Sequence, residues 1–260
     1  MDLELKGRCA VITGGSRGLG AAIARELAKE GMNLVLLARD GAALARFGAE
    51  LAQTFGVSVA THGADLSTLE GVEGAARAAE AQGAIHGLVN CAGATKRGDF
   101  FSLNEADWDT GYDLKLRAAV RLSRALWPSL KAGGGAIVNI AGLGGRMPAG
   151  DFTIGGSVNA ALLNFTKALA DVGIRDGVRV NAINPGFFRT DRLAHSLRAT
   201  VEQTGCAPEE AEAVLLQKLG VRRFGEPSEV GELTAFLLSR RADYLNGSAI
   251  EIDSGARRGI

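Results

Sequence analysis

Cysteine, histidine, tyrosine and net charge are all scarce in this chain, and each scarcity removes a class of function. The three cysteines among 260 residues, Cys9, Cys91 and Cys206, are widely spaced and have no Cys-x-x-Cys or His-rich companion, so neither a disulfide framework nor a metal site is expected. His62, His86 and His195 likewise lack metal or triad spacing. With 29 basic and 29 acidic side chains the formal charge is zero. That leaves no electrostatic footprint for a phosphate backbone or an anionic membrane, and argues against nucleic acid as a partner. No apolar run approaches the ~18 residues that cross a bilayer, and the opening Met1-Asp2-Leu3-Glu4-Leu5-Lys6 has neither the basic nor the apolar region of a secretory signal. The expected location is a reducing cytoplasm. Only two tyrosines occur, Tyr112 and Tyr244, and neither has a lysine four residues on.

Glycine is the residue in excess, at 36 of 260, roughly twice the usual share of about 7%. Close backbone approach is needed somewhere. An apolar share of 47% with 22% charge can bury a full core, and the length fits one sizeable α/β domain. Cys9-Ala10-Val11-Ile12-Thr13 is an apolar run followed by a glycine-rich turn and an Ala/Leu/Glu/Lys-rich stretch over 21–30, which reads strand, turn, helix. Further strands are expected at 34–38, 57–62, 87–90, 136–140, 179–183 and 249–252, and helices at 42–55, 69–81, 105–131, 158–172 and 228–239. Apolar strands alternating with helices predict a doubly wound parallel sheet of about seven strands, covered on both faces, in a single domain over 1–260. Residues 187–224 break the alternation. Ligands of such sheets sit beyond the carboxyl ends of strands, so this stretch is expected to form a substrate lid. Its arginines, Arg189, Arg192, Arg198, Arg222 and Arg223, have two readings, contact with an anionic substrate or a solvated helical surface, of which the second is the better supported.

Thr13-Gly14-Gly15-Ser16-Arg17-Gly18-Leu19-Gly20 sits where a strand feeds a helix. Gly14 allows the tight turn, Gly18 lets a pyrophosphate approach the backbone, and Gly20 lets the helix pack on the strand. The helix N-terminus adds free N–H groups and partial positive charge. About 20 residues past the turn, where a carboxylate would hydrogen-bond a ribose 2′-hydroxyl, stands Arg39; Arg17 adds a second guanidinium. Two forked cations suit a 2′-phosphate, so NADP(H) is preferred over NAD(H). Asp40 is one position late for the ribose carboxylate and is expected to cap the next helix.

The turn resembles the Thr-Gly-x-x-x-Gly-x-Gly of the classical short-chain dehydrogenase/reductase family. The likeness continues through Asp65-Leu66, Asn90-Cys91-Ala92-Gly93, Asn184-Pro185-Gly186 with Thr190, and Gly247 to Asp253. It implies a Rossmann-type fold that binds a dinucleotide with Thr13, Gly14, Ser16, Arg17, Gly18, Leu19 and Gly20 at the phosphates. Asp65 and Leu66 would lie near the adenine, Asn90, Ala92 and Gly93 along the central sheet, and Pro185, Gly186, Phe188 and Thr190 by the nicotinamide. It also implies a homodimer or homotetramer built on the two long helices after the fourth and fifth strands.

The family's chemistry uses an asparagine, a serine, a tyrosine and a lysine, the tyrosine exchanging a proton with the substrate oxygen. Aligned by neighbours, these positions fall here on Lys115, Gly142, Gly155 and Asn159. All four differ. At helical spacing Lys115 shares an apolar stripe with Trp108, Gly111, Tyr112, Ala118, Ala119, Leu122 and Leu126, opposite Asp113, Arg117, Arg121 and Arg124. A lone cation on such a stripe is expected to serve the site, binding ribose or protonating the substrate oxygen. Asn159 would be its hydrogen-bond partner, with Asp151 or Ser157 in reserve. Gly142, Gly144, Gly145, Gly155 and Gly156 are expected to leave the pocket wide. Three readings follow: an NADP(H)-dependent oxidoreductase acting on a carbonyl or hydroxyl compound with a non-standard proton donor, a dinucleotide-binding sensor or scaffold without turnover, and, ranked last, non-redox chemistry such as dehydration.

Overall fold

The computed structural model of the chain describes residues 2–259. At its centre seven parallel strands form one sheet in the order 3-2-1-4-5-6-7. These are β1 (Cys9–Thr13), β2 (Asn33–Ala38), β3 (Val59–Gly63), β4 (Gly87–Asn90), β5 (Ala136–Ile140), β6 (Arg179–Pro185) and β7 (Ala249–Ile252). The central strands β1, β4 and β5 are buried throughout, which is why they read as unbroken apolar runs, while edge strand β3 is only partly covered.

Alternate side chains of each strand enter opposite cores. Ile12, Leu34, Leu36 and Val138 pack with Ile23 and Leu27 of α1 (Gly18–Lys29), Leu44 and Leu51 of α2 (Gly41–Phe55) and Val230 and Leu237 of α9 (Pro227–Leu238). Val11, Val35, Leu88 and Ile137 pack with Val72 of α3 (Leu69–Glu80), Leu122 and Leu126 of α5 (Ala118–Gly133) and Ala170 of α6 (Thr153–Asp176). Each such side chain, fully buried, contributes about 1.5–3 kcal/mol of transfer free energy.

Two elements differ from the sequence expectation. The helix expected over 105–131 is α4 (Glu105–Tyr112), a π-helical turn at Asp113–Arg117, and then α5. Leu114 and Leu116 of the π turn are half-buried against the cores on either side, so the apolar pattern runs on and hides the extra residue. Helix α6 begins five residues before the expected start. Gly155 and Gly156 weaken local propensity there, but Ile154 and Gly155 are buried and tertiary packing overrides it. The 187–224 stretch contains α7 (Asp191–Thr204) and α8 (Ala211–Leu219), and is closed by a bridge between Phe188 and Gly225. No helix among the described residues is long and apolar enough to cross a membrane.

From β1 the chain winds outward to β3 and then returns to β4 on the other side of β1. The reversal opens a crevice beyond the carboxyl ends of β1 and β4, the usual ligand position in such sheets.

Candidate active site

The glycine turn has the geometry its spacing predicts. Gly14 adopts a left-handed φ of +68°, and a Cβ there would lie 3.1 Å from the Ala92 Cα. A Cβ at Gly20 would collide with the Gly14 carbonyl, whereas one at Gly18, with φ +56°, meets nothing closer than 4.0 Å. The backbone at Gly18 is therefore open to a ligand. Arg17 stands at the N-cap of α1 without a side-chain capping bond, so the first N–H groups of α1 keep no side-chain acceptor. Arg17 and Arg39 are both exposed, and neither has a carboxylate within ion-pair distance among the described residues. Asp40 does cap α2, accepting from the Ala43 N–H at 2.9 Å.

Several residues expected at the cofactor have buried side chains. Thr13 is buried, and its hydroxyl oxygen accepts from the N–H groups of Cys91 and Ala92, both at 2.9 Å. It pins the loop after β4 to β1. Asn90 donates to Asn139 at 2.8 Å, and Asn139 to Thr166 at 2.9 Å, a buried chain that ties β4 through β5 to α6. The Leu66 side chain belongs to the core, as does the Phe188 ring, which packs against Gly225. These side chains shape the crevice rather than line it. Asp65 is exposed, and its carboxyl is held below the usual carboxylate range by the Ser67 N–H and hydroxyl and then by Arg39.

At the four positions of the family's proton-transfer machinery, the space is taken differently. Gly155 lies in the first turn of α6, and a Cβ there would fall inside the Phe152 ring. A Cβ at Gly144 would sit 2.8 Å from the same ring. The Arg97 guanidinium stacks on that ring, 4.4 Å from its centroid, and pairs with both oxygens of Asp151 at 2.6 and 2.7 Å. The Phe152 ring thus fills the space beside Gly155, the position expected from the resemblance to hold the tyrosine. The wide pocket expected from five glycines is corrected accordingly, since Gly145 too is pressed against the α6 backbone at Asn159 and Ala160. Phe152 escaped sequence reasoning. The available signal was an aromatic residue three positions before a glycine where a large side chain was due.

Lys115 sits on the π turn, a distortion frequent at functional positions. Its Nζ donates to the Ala141 carbonyl at 2.6 Å, which corrects the expected bond to Asn159. The Lys115 stem passes Gly93 so closely that a Cβ there would lie 3.0 Å from its Cδ. Burial, and after it the Arg192 charge, lowers its pKa from 10.5 to about 7. Beside it, burial pushes the Cys91 thiol up to about 11. Asn159 is 4% exposed, and its Oδ1 has no partner among the described residues. Its Nδ2 would stand 3.0 Å from a Cβ at Gly142, whose N–H is held by Asn184 Oδ1 at 2.9 Å. The reserve candidates are occupied elsewhere: Asp151 by Arg97, and Ser157 by the helix carbonyls of Thr153 and Ile154.

From the other side of the crevice, Arg192 of α7 donates to the Gly93 carbonyl at 3.0 Å. Arg189 and Arg223 are instead neutralised by Glu212 with Glu226, and by Glu229.

Comparison with known proteins agrees with this geometry. Residues 14–257 match the family model described as Enoyl-(Acyl carrier protein) reductase. The chain is 36% identical over 259 residues to the oxidoreductase UcpA of Salmonella typhimurium, spanning 97% of this chain and 95% of that protein. It is 32% identical over 251 residues to the acetoacetyl-CoA reductase of Shinella zoogloeoides, spanning 95% and 98%. The crystal structure of L-sorbose reductase from Gluconobacter frateurii, complexed with NADPH and L-sorbose, matches over 100% of both chains with a TM-score of 0.95 at 34% identity. The chain belongs to the classical short-chain dehydrogenase/reductase family.

Proposed function

We propose that the protein is an NADP(H)-dependent oxidoreductase that interconverts a carbonyl and a hydroxyl group on a small molecule, with Lys115 as proton donor in place of the family's tyrosine. The observation that carries this reading is the half-buried Lys115, its amine anchored on the Ala141 carbonyl beside the crevice, with glycine and not tyrosine at position 155. The open N–H groups of α1, the backbone at Gly18 and the guanidiniums of Arg17 and Arg39 fit a dinucleotide with a 2′-phosphate. The NADPH held by the L-sorbose reductase supports that cofactor.

A bound reduced nicotinamide supplies hydride to the carbonyl carbon. The chain's own part is to hold the carbonyl and deliver a proton to its oxygen. An ammonium with a pKa of about 7 is half charged at neutral pH, close to the value at which a general acid works best, and a positioned acid contributes about 10²- to 10⁴-fold. Lys115 then regains its proton from solvent. Asn159, with a buried and unpaired Oδ1, is proposed to accept from a ribose hydroxyl. Helices α7 and α8 are proposed as the substrate lid. Association into a homodimer or homotetramer through α5 and α6 belongs to the same reading, and Val172 and Ile174 stand exposed on α6 for such a contact.

One observation favours the second reading, a nucleotide-binding sensor without turnover: the Phe152 ring occupies the space beside Gly155, where the resemblance puts the tyrosine. The two are separated by following NADPH oxidation across a panel of aldehydes, ketones and oxo acids beside a binding titration. The enzyme reading predicts turnover that falls at least 10²-fold in Lys115→Met, with NADPH affinity kept within twofold. Tight NADPH binding with no turnover anywhere in the panel would establish the sensor instead.

A further inference from the structure

Two cations meet on Gly93 without a carboxylate between them. Lys115 reaches the site through the space that a side chain at 93 would fill, and Arg192 donates to the Gly93 carbonyl. Each has a hydrogen bond to a backbone carbonyl, and neither forms an ion pair among the described residues. The titratable or charged groups that face Lys115 are Arg192 from α7 and the Cys91 thiol after β4. None is acidic. Asp151 is engaged by Arg97, Asp107 by Lys96, and Asp113 by Arg117, and Asp191, beside Arg192 at the start of α7, is exposed and forms no ion pair with it among the described residues. A half-buried ammonium facing a guanidinium with no counter-charge is an unfavourable arrangement. It becomes favourable when an anion enters.

The position of the pair bears on which anion that is. The phosphates of a dinucleotide are expected at the N-terminus of α1, beyond β1. Lys115 holds the carbonyl that follows β5, two strands away, or about 10 Å at the spacing of a sheet. The pair therefore faces the substrate half of the crevice. We propose that Lys115 and Arg192 form a carboxylate subsite, so that the substrate is an oxo acid or hydroxy acid with its carboxylate close to the reacting carbon. This rests on the oxidoreductase reading above and narrows it to a substrate class.

The chemistry is self-consistent. A carboxylate between the two cations favours the charged form of Lys115, so substrate binding itself loads the proton donor. The ammonium has three N–H groups. One stays on Ala141, one can hold the carboxylate, and one can face the carbonyl oxygen. Arg192 lies on α7, so an acid bridging it to Lys115 also ties that helix to the π turn.

The test uses the NADP⁺-loaded protein, which cannot reduce the probe, and titrates pyruvate against its uncharged analogue pyruvamide by calorimetry. The expected result is pyruvate binding at least tenfold tighter than pyruvamide. The same affinity should fall at least tenfold in Arg192→Gln, a substitution at an exposed side chain, with NADP⁺ affinity changed less than twofold. Pyruvate affinity should also decline as pH rises from 6 to 9 in the wild type but not in Lys115→Met. Equal binding of acid and amide, no binding of pyruvate, or an unchanged Arg192→Gln would overturn the proposal. So would an Arg192→Gln loss that falls equally on NADP⁺, which would assign Arg192 to the cofactor's phosphates. The pyruvate titration is repeated on cofactor-free protein. Failure of NADP⁺ to bind would then count against the reading above while the anion result is still read.

Discussion

Gly155 and Phe152 show how one residue's absence is another's presence. A tyrosine at 155 cannot be restored by substitution alone, because its Cβ would lie within the Phe152 ring. Gly155→Tyr is expected to destabilise the protein by about 1–3 kcal/mol through overpacking. The double change Gly155→Tyr with Phe152→Gly should recover most of that loss, as measured by thermal unfolding. A single variant as stable as wild type would mean that the ring moves aside freely. The sequence showed that the tyrosine was missing but not that its volume was filled, since the ring arrives from the N-cap of α6 through a backbone path no spacing rule describes. Lys115 was legible as a lone cation on an apolar stripe. Its partner was not, because the Ala141 carbonyl is backbone and carries no residue signature.

At the scale of elements, the alternation of apolar runs with helical stretches was enough to place all seven strands, since buried parallel strands need no polar face. The π turn at 113–117 was not readable, because one inserted residue leaves the apolar stripe intact on either side. The same scale explains Thr13, expected at the cofactor, whose hydroxyl staples the loop after β4 to β1. It receives two loop N–H groups, so Thr13→Val, of similar shape, leaves both without an acceptor. The expected cost is about 1–3 kcal/mol, read by denaturant unfolding. NADPH binding should weaken as well, since the loop at Ala92 and Gly93 loses its anchor to β1. Unchanged stability would show that water replaces the hydroxyl.

Taken as a whole, the molecule holds a half-buried cation without a counter-charge, and this has a consequence for stability. Unfolded, Lys115 titrates near 10.5; folded, near 7. Between those values the unfolded chain holds a proton that the folded one lacks, so this group makes stability rise with pH across that window, by at most about 1.4 kcal/mol per unit. Below pH 7 both states are charged and the destabilisation is complete. Lys115→Met should therefore be more stable than wild type at pH 6, and the difference should shrink toward pH 10, as followed by chemical denaturation. A difference independent of pH would place the amine in water.

The grip on the dinucleotide underlies every functional statement above, and calorimetric titration with NADPH and NADH tests it most directly. The account predicts NADPH at least tenfold tighter than NADH. Arg39→Gln should erase the preference, as expected when a charged hydrogen bond worth about 1.5–3 kcal/mol is lost. No heat with NADPH, or equal affinity for the two forms in the wild type, would contradict it.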